Sequence, residues 1–135
     1  MIVREARAED FPQILEILNT ENDEKIFTED ESLIVKSYVL DCGGSVLGTA
    51  VYYTQDKEHY VGIIVHKESR RKGLGSFLLR ESLRLFGERK ILARINKFNY
   101  SSKQFFKKNG FRFLRCEDED EVYYYIPEHT KNIRR

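Results

Sequence analysis

Tyr60-Val61-Gly62-Ile63-Ile64-Val65 is an apolar run of strand length, and Phe77 to Phe86 carries apolar residues at helical spacing. Between them stands His66-Lys67-Glu68-Ser69-Arg70-Arg71-Lys72-Gly73-Leu74-Gly75-Ser76. A buried strand therefore runs into a basic turn broken by glycines, and the turn opens a helix. The next apolar run, Ile91 to Asn96, follows that helix, so it is expected to lie parallel to the Val65 strand. Two parallel strands that diverge toward their carboxyl ends leave a slot. The turn itself has the chemistry of a phosphate holder. Glycine lets the backbone approach a ligand with no Cβ in the way. The first N–H groups of a helix lack intrahelical partners, and the helix dipole favours an anion there. Arg70, Arg71 and Lys72 add charge and donors. The plainer alternative is an ordinary basic turn that starts a helix on a glycine.

The spacing excludes the commoner phosphate loops. A P-loop needs Gly-x4-Gly-Lys followed by Ser or Thr, and this chain lacks it. A dinucleotide fingerprint needs a third glycine where Leu78 stands, and an acidic residue near Ile95 to Phe98 to hold a ribose. What is present is Arg-x-x-Gly-x-Gly, at Arg70, Gly73 and Gly75. This resembles the pyrophosphate loop of the GNAT superfamily of acetyl-CoA-dependent N-acetyltransferases. A second stretch, Asn99-Tyr100-Ser101-Ser102-Lys103-Gln104-Phe105-Phe106-Lys107-Lys108-Asn109-Gly110-Phe111, is similar to that family's other signature. There an Asn precedes a helix that ends in a Lys-x-Gly-Phe turn into a strand. Asn99, Lys108, Gly110 and Phe111 match in register, and the two signatures stand in the family's order. Arg4-x-Ala6 followed by Asp10 is also similar to the family's first strand and helix.

Composition bounds the rest. With 135 residues and 41% apolar side chains the chain can bury one core, so a single domain over 1–135 is expected, with 127–135 as a loose tail. No apolar run approaches the ~20 residues of a membrane span. Met1-Ile2-Val3-Arg4-Glu5 is not a signal peptide, and a cytoplasmic protein without membrane contact is expected. A net charge of +1 gives no global pull toward nucleic acid, so the basic residues at 66–72 are a local feature. Cys42 and Cys116 have no second Cys or His at ligand spacing; they read as inert thiols, and no metal is expected.

Ile2 to Arg7 reads as a first strand. Phe11, Ile14, Leu15 and Leu18 fall on one helical face, and Pro12 suits a first turn. Thr28-x-x-Glu31 has the form of a capping box and predicts a second helix to about Lys36. Ser37 to Cys42 and Val46 to Tyr53 are strands joined by Gly43-Gly44, and Glu58 to Val65 completes an antiparallel meander. A central helix runs from about Gly73 to Phe86 with Gly87 as its cap, and another spans Ser101 to Lys108. Phe111 to Glu117 and Glu121 to Ile126 pair around Asp118-Glu119-Asp120. The fold class is therefore α/β: a mixed central sheet of six to seven strands, antiparallel in its first half with one parallel pair at the slot, flanked by about four helices. The resemblance implies the GNAT-type version of it. The tyrosine-rich last strand leaves a homodimer open.

The resemblance also implies a site. Acetyl-CoA, as cosubstrate, would rest its phosphates on backbone N–H groups of Arg71, Lys72, Gly73, Leu74, Gly75 and Ser76, with Arg70 and Lys72 supplying charge. Its pantetheine arm would pair with the edge of Ile63, Ile64 and Val65 as an added strand, with Asn99, Ser102 and Phe106 along its other side. A bulge near Gly62 to Ile64 would aim an N–H at the thioester carbonyl, unless that glycine merely fits under an aromatic neighbour. The acceptor would be a primary amine, on a small molecule or on a protein. Glu21, Asp23, Glu24, Glu29 and Asp30 either form a mouth for its cation or are solvated surface.

The catalytic residues do not follow. Many family members place a Tyr, as general acid, where Phe106 stands. Ser102, Tyr100 or one of Tyr123 to Tyr125 would have to replace it, or the thiolate leaves unaided. The carboxylate base expected shortly before Val65 is replaced by Gly62 and Val61. His59 and Glu58 lie roughly 20 Å along an extended strand from Val65, and Glu117 or Asp118 would approach from the last hairpin. Acetyl transfer to an amine is the expected function, and a non-catalytic acyl-CoA-binding or sensing module is the alternative. A nucleic-acid-binding domain using Lys67 to Lys72 and Lys103 to Lys108 is a third class, which the net charge of +1 disfavours.

Overall fold

The computed structural model describes residues 1–21, 34–69, 73–87 and 89–127. Its elements run β1 (Ile2–Glu5), α1 (Phe11–Glu21), β2 (Ile34–Cys42), β3 (Ser45–Gln55), β4 (Glu58–Val65), α2 (Leu74–Phe86), β5 (Ile91–Asn96), α3 (Tyr100–Lys108), β6 (Arg112–Glu117) and β7 (Asp120–Tyr125), with short 3-10 turns at Ala8–Asp10 and Lys67–Ser69. The strands form one seven-stranded sheet in the order β1-β2-β3-β4-β5-β7-β6. Only the β4–β5 pair is parallel. Two hairpins fix the meander. Gly43 and Gly44 both have positive φ, as do Asp56 and Lys57, and such two-residue turns match the twist of the strands they join.

The sheet is covered differently on its two faces. α2 and α3 close one face over Tyr38, Leu40, Tyr52, Val61, Leu78, Leu79, Ile95 and Phe106. α1 closes part of the other, packing Ile14 and Ile17 on Val39, Val46 and Ile64. Beyond α1 on that second face lie Tyr60, Leu92 and Val122, all buried although no described helix crosses them. Side chains do the covering. Arg94 lies over the Tyr60 ring at 5.8 Å, and Tyr53 stacks on Tyr60 at 5.5 Å. The aliphatic stems of arginine shield apolar surface while their heads meet Glu117 and Asp120.

Several expectations are corrected. Ile34 to Lys36 belong to β2, paired with Tyr52 and Tyr53, and not to a helix ending near Lys36. The β-branched pair Ile34-Val35 favours the strand. Thr28 and Glu31 lie outside the described residues, and so do Asp23, Glu24, Glu29 and Asp30. Three α-helices are present among the described residues, against about four expected. The buried stripe of α1 is Ile14, Ile17 and partly Leu18, while Phe11 and Leu15 are exposed. The spacing i, i+3, i+4 fits two neighbouring stripes on so short a helix. The tyrosine-rich β7 lies between β5 and β6, so its edges are both used and it offers no pairing edge to a second subunit. β6 is the edge strand at that end of the sheet, and it carries Arg112, Arg115 and Glu117 and a register shift between Phe113 and Arg115, features that blunt an edge.

Candidate functional site

β4 sets the site. His66 N–H donates to the Leu47 carbonyl at 2.7 Å, which fixes the phase of the β3–β4 ladder. By antiparallel alternation, residues 60, 62 and 64 exchange bonds with β3, while Val61, Ile63 and Val65 turn their N–H and C=O groups toward β5. On that side one register pair is present, Tyr60 with Leu92. Past it no further β4–β5 pair is present among the described residues, and the backbone of Ile63 borders this gap in the ladder. The slot expected from the sequence would lie here. The bulge is not where it was foreseen. Register between β3 and β4 runs unbroken from Gly48↔Val65 to Gln55↔Glu58, so Gly62 to Ile64 is regular on that side. Ile64 points its backbone at β3 and packs its side chain under α1, away from the gap.

At the carboxyl end of β4 the chain makes the Lys67–Ser69 turn and reaches Gly73, whose φ of 78° and ψ of 3° lie in the left-handed region. Leu74, Gly75 and Ser76 open α2, and the first helical bond is Phe77 N–H to Gly73 O at 3.1 Å. The N–H groups of Leu74, Gly75 and Ser76 thus have no intrahelical acceptor. Arg70, Arg71 and Lys72 lie outside the described residues. Gly75 is needed for contact: a Cβ there would stand 3.2 Å from the Phe105 ring and 3.6 Å from Val65. Sequence reasoning missed Gly48, where a Cβ would fall 2.9 Å from the Ile64 carbonyl oxygen and 3.3 Å from the Val65 Cα. A glycine inside an apolar strand was the available signal, and it was read at Gly62 instead.

α3 forms the other wall. Asn99 caps it, accepting the Ser102 N–H at 3.1 Å. Ser102 is half-buried on the same face, and Phe106 is buried in edge-to-face contact with Phe105 and Phe111. Tyr100 is 64% exposed, with the Lys103 ammonium 4.6 Å from its ring centre. Lys103 also pairs with Glu121 at 3.3 Å, and Glu121 accepts the Tyr123 hydroxyl at 2.7 Å. Burial, with the Glu121 carboxylate beside it, pushes the Tyr123 phenol up to about 12. A phenol so raised holds its proton more tightly than a free tyrosine.

Two of the candidate bases, Glu117 and His59, are held in unhelpful states. Glu117 accepts hydrogen bonds from both Arg115 and Arg94, and these hold its carboxyl below the usual range. A carboxylate so clamped is a weak proton acceptor. His59 packs against Phe86, and Arg89 Nη1 stands 3.2 Å from its Nε2. A guanidinium can only donate, so Nε2 accepts and the ring proton sits on the buried Nδ1. Burial first, and the Arg89 charge second, lower the His59 pKa. The imidazole is neutral, but its lone pair is taken. Asp118 sits in the turn after β6 with positive φ. No group of His, Cys, Asp and Glu that could hold a metal ion occurs among the described residues, and Cys42 and Cys116 are free and exposed.

The arrangement can seat an anion at the start of α2 and lay an extended, amide-bearing chain along Ile63. The family model described as the acetyltransferase (GNAT) family matches residues 2–111. Among solved structures, the PaiA N-acetyltransferase from Thermoplasma acidophilum, in complex with coenzyme A, superposes with a TM-score of 0.76 at 13% identity, over 93% of this chain and 98% of that one. The ribosomal-protein-alanine N-acetyltransferase from Brucella melitensis gives 0.69 at 17% identity, over 94% and 100%. A provisionally assigned streptothricin acetyltransferase from Bacillus anthracis str. Ames, in complex with acetyl coenzyme A, gives 0.70 at 16% identity, over 94% and 98%. At these identities the likeness is one of fold. No curated protein matches the sequence.

Proposed function

The chain belongs to the GNAT acetyltransferase family, and from that premise we propose that it transfers an acetyl group from acetyl-CoA to a primary amine. The carrying observation is that β4–β5 pairing is limited to Tyr60↔Leu92 among the described residues, with the glycine-started α2 following β4. In this reading the pyrophosphate meets the N–H groups of Leu74, Gly75 and Ser76, with Arg70, Arg71 and Lys72 as its counter-charges. Ile63 and Val65 pair with the pantetheine amides, and Asn99 and Ser102 flank the arm. The amine nitrogen attacks the thioester carbonyl carbon, a C–N bond forms, the C–S bond breaks and the thiolate departs. The proton comes from the attacking amine and goes to solvent.

Both clamped candidates, Glu117 and His59, argue that the amine arrives already neutral. Phe106 and the exposed Tyr100 argue that the thiolate leaves without a side-chain acid. A proton-transfer residue typically adds 10²–10⁴-fold, so turnover is expected to be slow for strongly basic acceptors at neutral pH. The same residues favour the second reading, a module that binds acyl-CoA without turning it over. A nucleic-acid surface on Lys67 to Lys72 and Lys103 to Lys108 is disfavoured by the net charge of +1, and Lys103 is already paired with Glu121. The two exposed free thiols fit a reducing compartment, and the proposal places the protein in the cytoplasm. A panel of amines, spanning polyamines, amino acids and peptides with free N-termini or lysines, tests the proposal by release of the CoA thiol. Amine-dependent release supports transfer; tight acetyl-CoA binding with no release from any amine supports the binding module.

A further inference from the structure

One contact joins the two walls of the gap and has no part in the reading so far. Asn109 stands at the C-terminal turn of α3, and its Nδ2 donates to the Phe105 carbonyl at 2.9 Å and to Ser76 Oγ at 3.0 Å. The Phe105 carbonyl can only accept, so the amide orientation is fixed, and both amide hydrogens are spent. Ser76 Oγ is therefore an acceptor in this bond, and its single hydroxyl proton is not used by Asn109. Among the described residues no acceptor takes that proton. Ser76 is the third residue of α2, in the same turn as the N–H groups of Leu74, Gly75 and Ser76, which have no intrahelical acceptor. Phe105, one turn before Asn109, is the ring that fills the space beside Gly75. The end of α3 thus holds the start of α2 at two adjacent residues, by packing at Gly75 and by a directed hydrogen bond at Ser76.

We propose that Asn109 is a positioning residue for the cosubstrate: it fills the Ser76 lone pair and so leaves the Ser76 hydroxyl to donate, beside the α2 N–H groups, to the pyrophosphate of acetyl-CoA. The inference rests on the acetyl-CoA reading above. Its chemistry is that of a charge-assisted O–H···O⁻ bond, one of the stronger kinds. An Asp at 109 reverses the polarity of the contact. Its carboxylate accepts the Ser76 proton and takes it away from the ligand, with almost no change in side-chain shape.

The test is binding, so it needs no knowledge of the acceptor. Affinities for acetyl-CoA and for S-acetylpantetheine, which lacks the pyrophosphate, are measured by NMR titration for the wild type, Ser76→Ala, Asn109→Ala, Asn109→Asp and the Ser76→Ala pairings of both Asn109 variants. Thermal melts confirm that each is folded. Ser76→Ala is expected to weaken acetyl-CoA by about tenfold. Asn109→Ala and Asn109→Asp are each expected to weaken acetyl-CoA, and neither is expected to add much to Ser76→Ala, because both act through that hydroxyl. S-acetylpantetheine is expected to bind every variant as it binds the wild type. Additive losses, equal losses for the two ligands, or no loss in Ser76→Ala would overturn the inference. If the wild type itself bound no acetyl-CoA, the acetyl-CoA reading would fail and take the inference with it, an outcome distinct from all the others.

Discussion

Arg4 holds Asp10 through Nη1 and Nη2, at 2.8 and 2.9 Å, and reaches Asp41 through Nε at 3.0 Å, while the Arg7 N–H adds a further bond to Asp10. These contacts pull the Asp10 carboxyl from 3.8 to about 2. A carboxylate whose pKa is lower folded than unfolded stabilises the fold above its unfolded pKa and loses that contribution as pH falls through its folded one. The Asp10 contribution, roughly 2 kcal/mol, is therefore complete at neutral pH and fades between about pH 4 and pH 2. Denaturant melts at pH 7 and pH 3 check this: Asp10→Asn is expected to cost stability at pH 7 and to lose less than the wild type on acidification. An equal acid loss in both would show that Asp10 is not the group. Gly48 gives a second residue-scale prediction. Its missing Cβ faces a carbonyl oxygen at 2.9 Å and a backbone Cα at 3.3 Å, neither of which can yield cheaply, whereas at Gly75 the neighbour is the edge of an aromatic ring. Gly48→Ala is expected to cost about 2 kcal/mol and Gly75→Ala less, an order that thermal unfolding reads directly.

α2 is bound to the sheet by more than apolar contact. Tyr52, in β3, shares a buried hydrogen bond with Ser82 at 2.7 Å and stacks on Phe86 at 4.3 Å. Burial pushes the Tyr52 phenol up. Ser82→Ala leaves that hydroxyl buried without its partner and is expected to cost about 1–3 kcal/mol; adding Tyr52→Phe is expected to recover part of the loss. A double mutant that is less stable than Ser82→Ala would contradict this. The elements themselves were largely legible in the sequence. β4 and β5 fall at Glu58–Val65 and Ile91–Asn96, where an apolar run sits between turn residues. The parallel pair followed from the single helix between them, since a crossover leaves few other choices. What was not legible came from distance in the chain. Asn109 meets Ser76 across 33 positions, and nothing local to Lys-Asn-Gly-Phe signals that partner. The Arg94–Glu117 contact likewise joins β5 to β6 across 23 positions, whereas Arg115 meets Glu117 from two residues away on its own strand. The rotation of α1 by one stripe reflects a helix too short for its period to choose between Phe11 and Ile17.

Across the whole molecule the proposed chemistry rests on binding and placement, with proton transfer left to the acceptor. Placement alone is worth a large part of such a barrier, since well-oriented reactants reach effective molarities of about 10⁵–10⁸ M. Once an acceptor is known, kcat/KM is expected to rise with pH along the acceptor amine's own titration, and to shift when an amine of different pKa is supplied. Glu117→Gln and His59→Asn are each expected to leave that profile in place and to keep turnover within about tenfold of wild type. A profile that stays fixed while the amine changes would reveal an enzyme base instead. The central claim is earlier in the sequence of events: that this fold seats acetyl-CoA with its phosphates at the glycine start of α2. Gly73 tests it cleanly, because nothing lies within 4 Å of a Cβ built there, and only the strain of φ 78° opposes a side chain. Calorimetric titration of the protein and of Gly73→Glu with acetyl-CoA, with ATP as the competing phosphate ligand, is the direct measurement. The account predicts saturable binding of acetyl-CoA that ATP does not match and that Gly73→Glu loses while remaining folded. Absence of acetyl-CoA binding, equal binding of ATP, or unaltered binding by Gly73→Glu would contradict it.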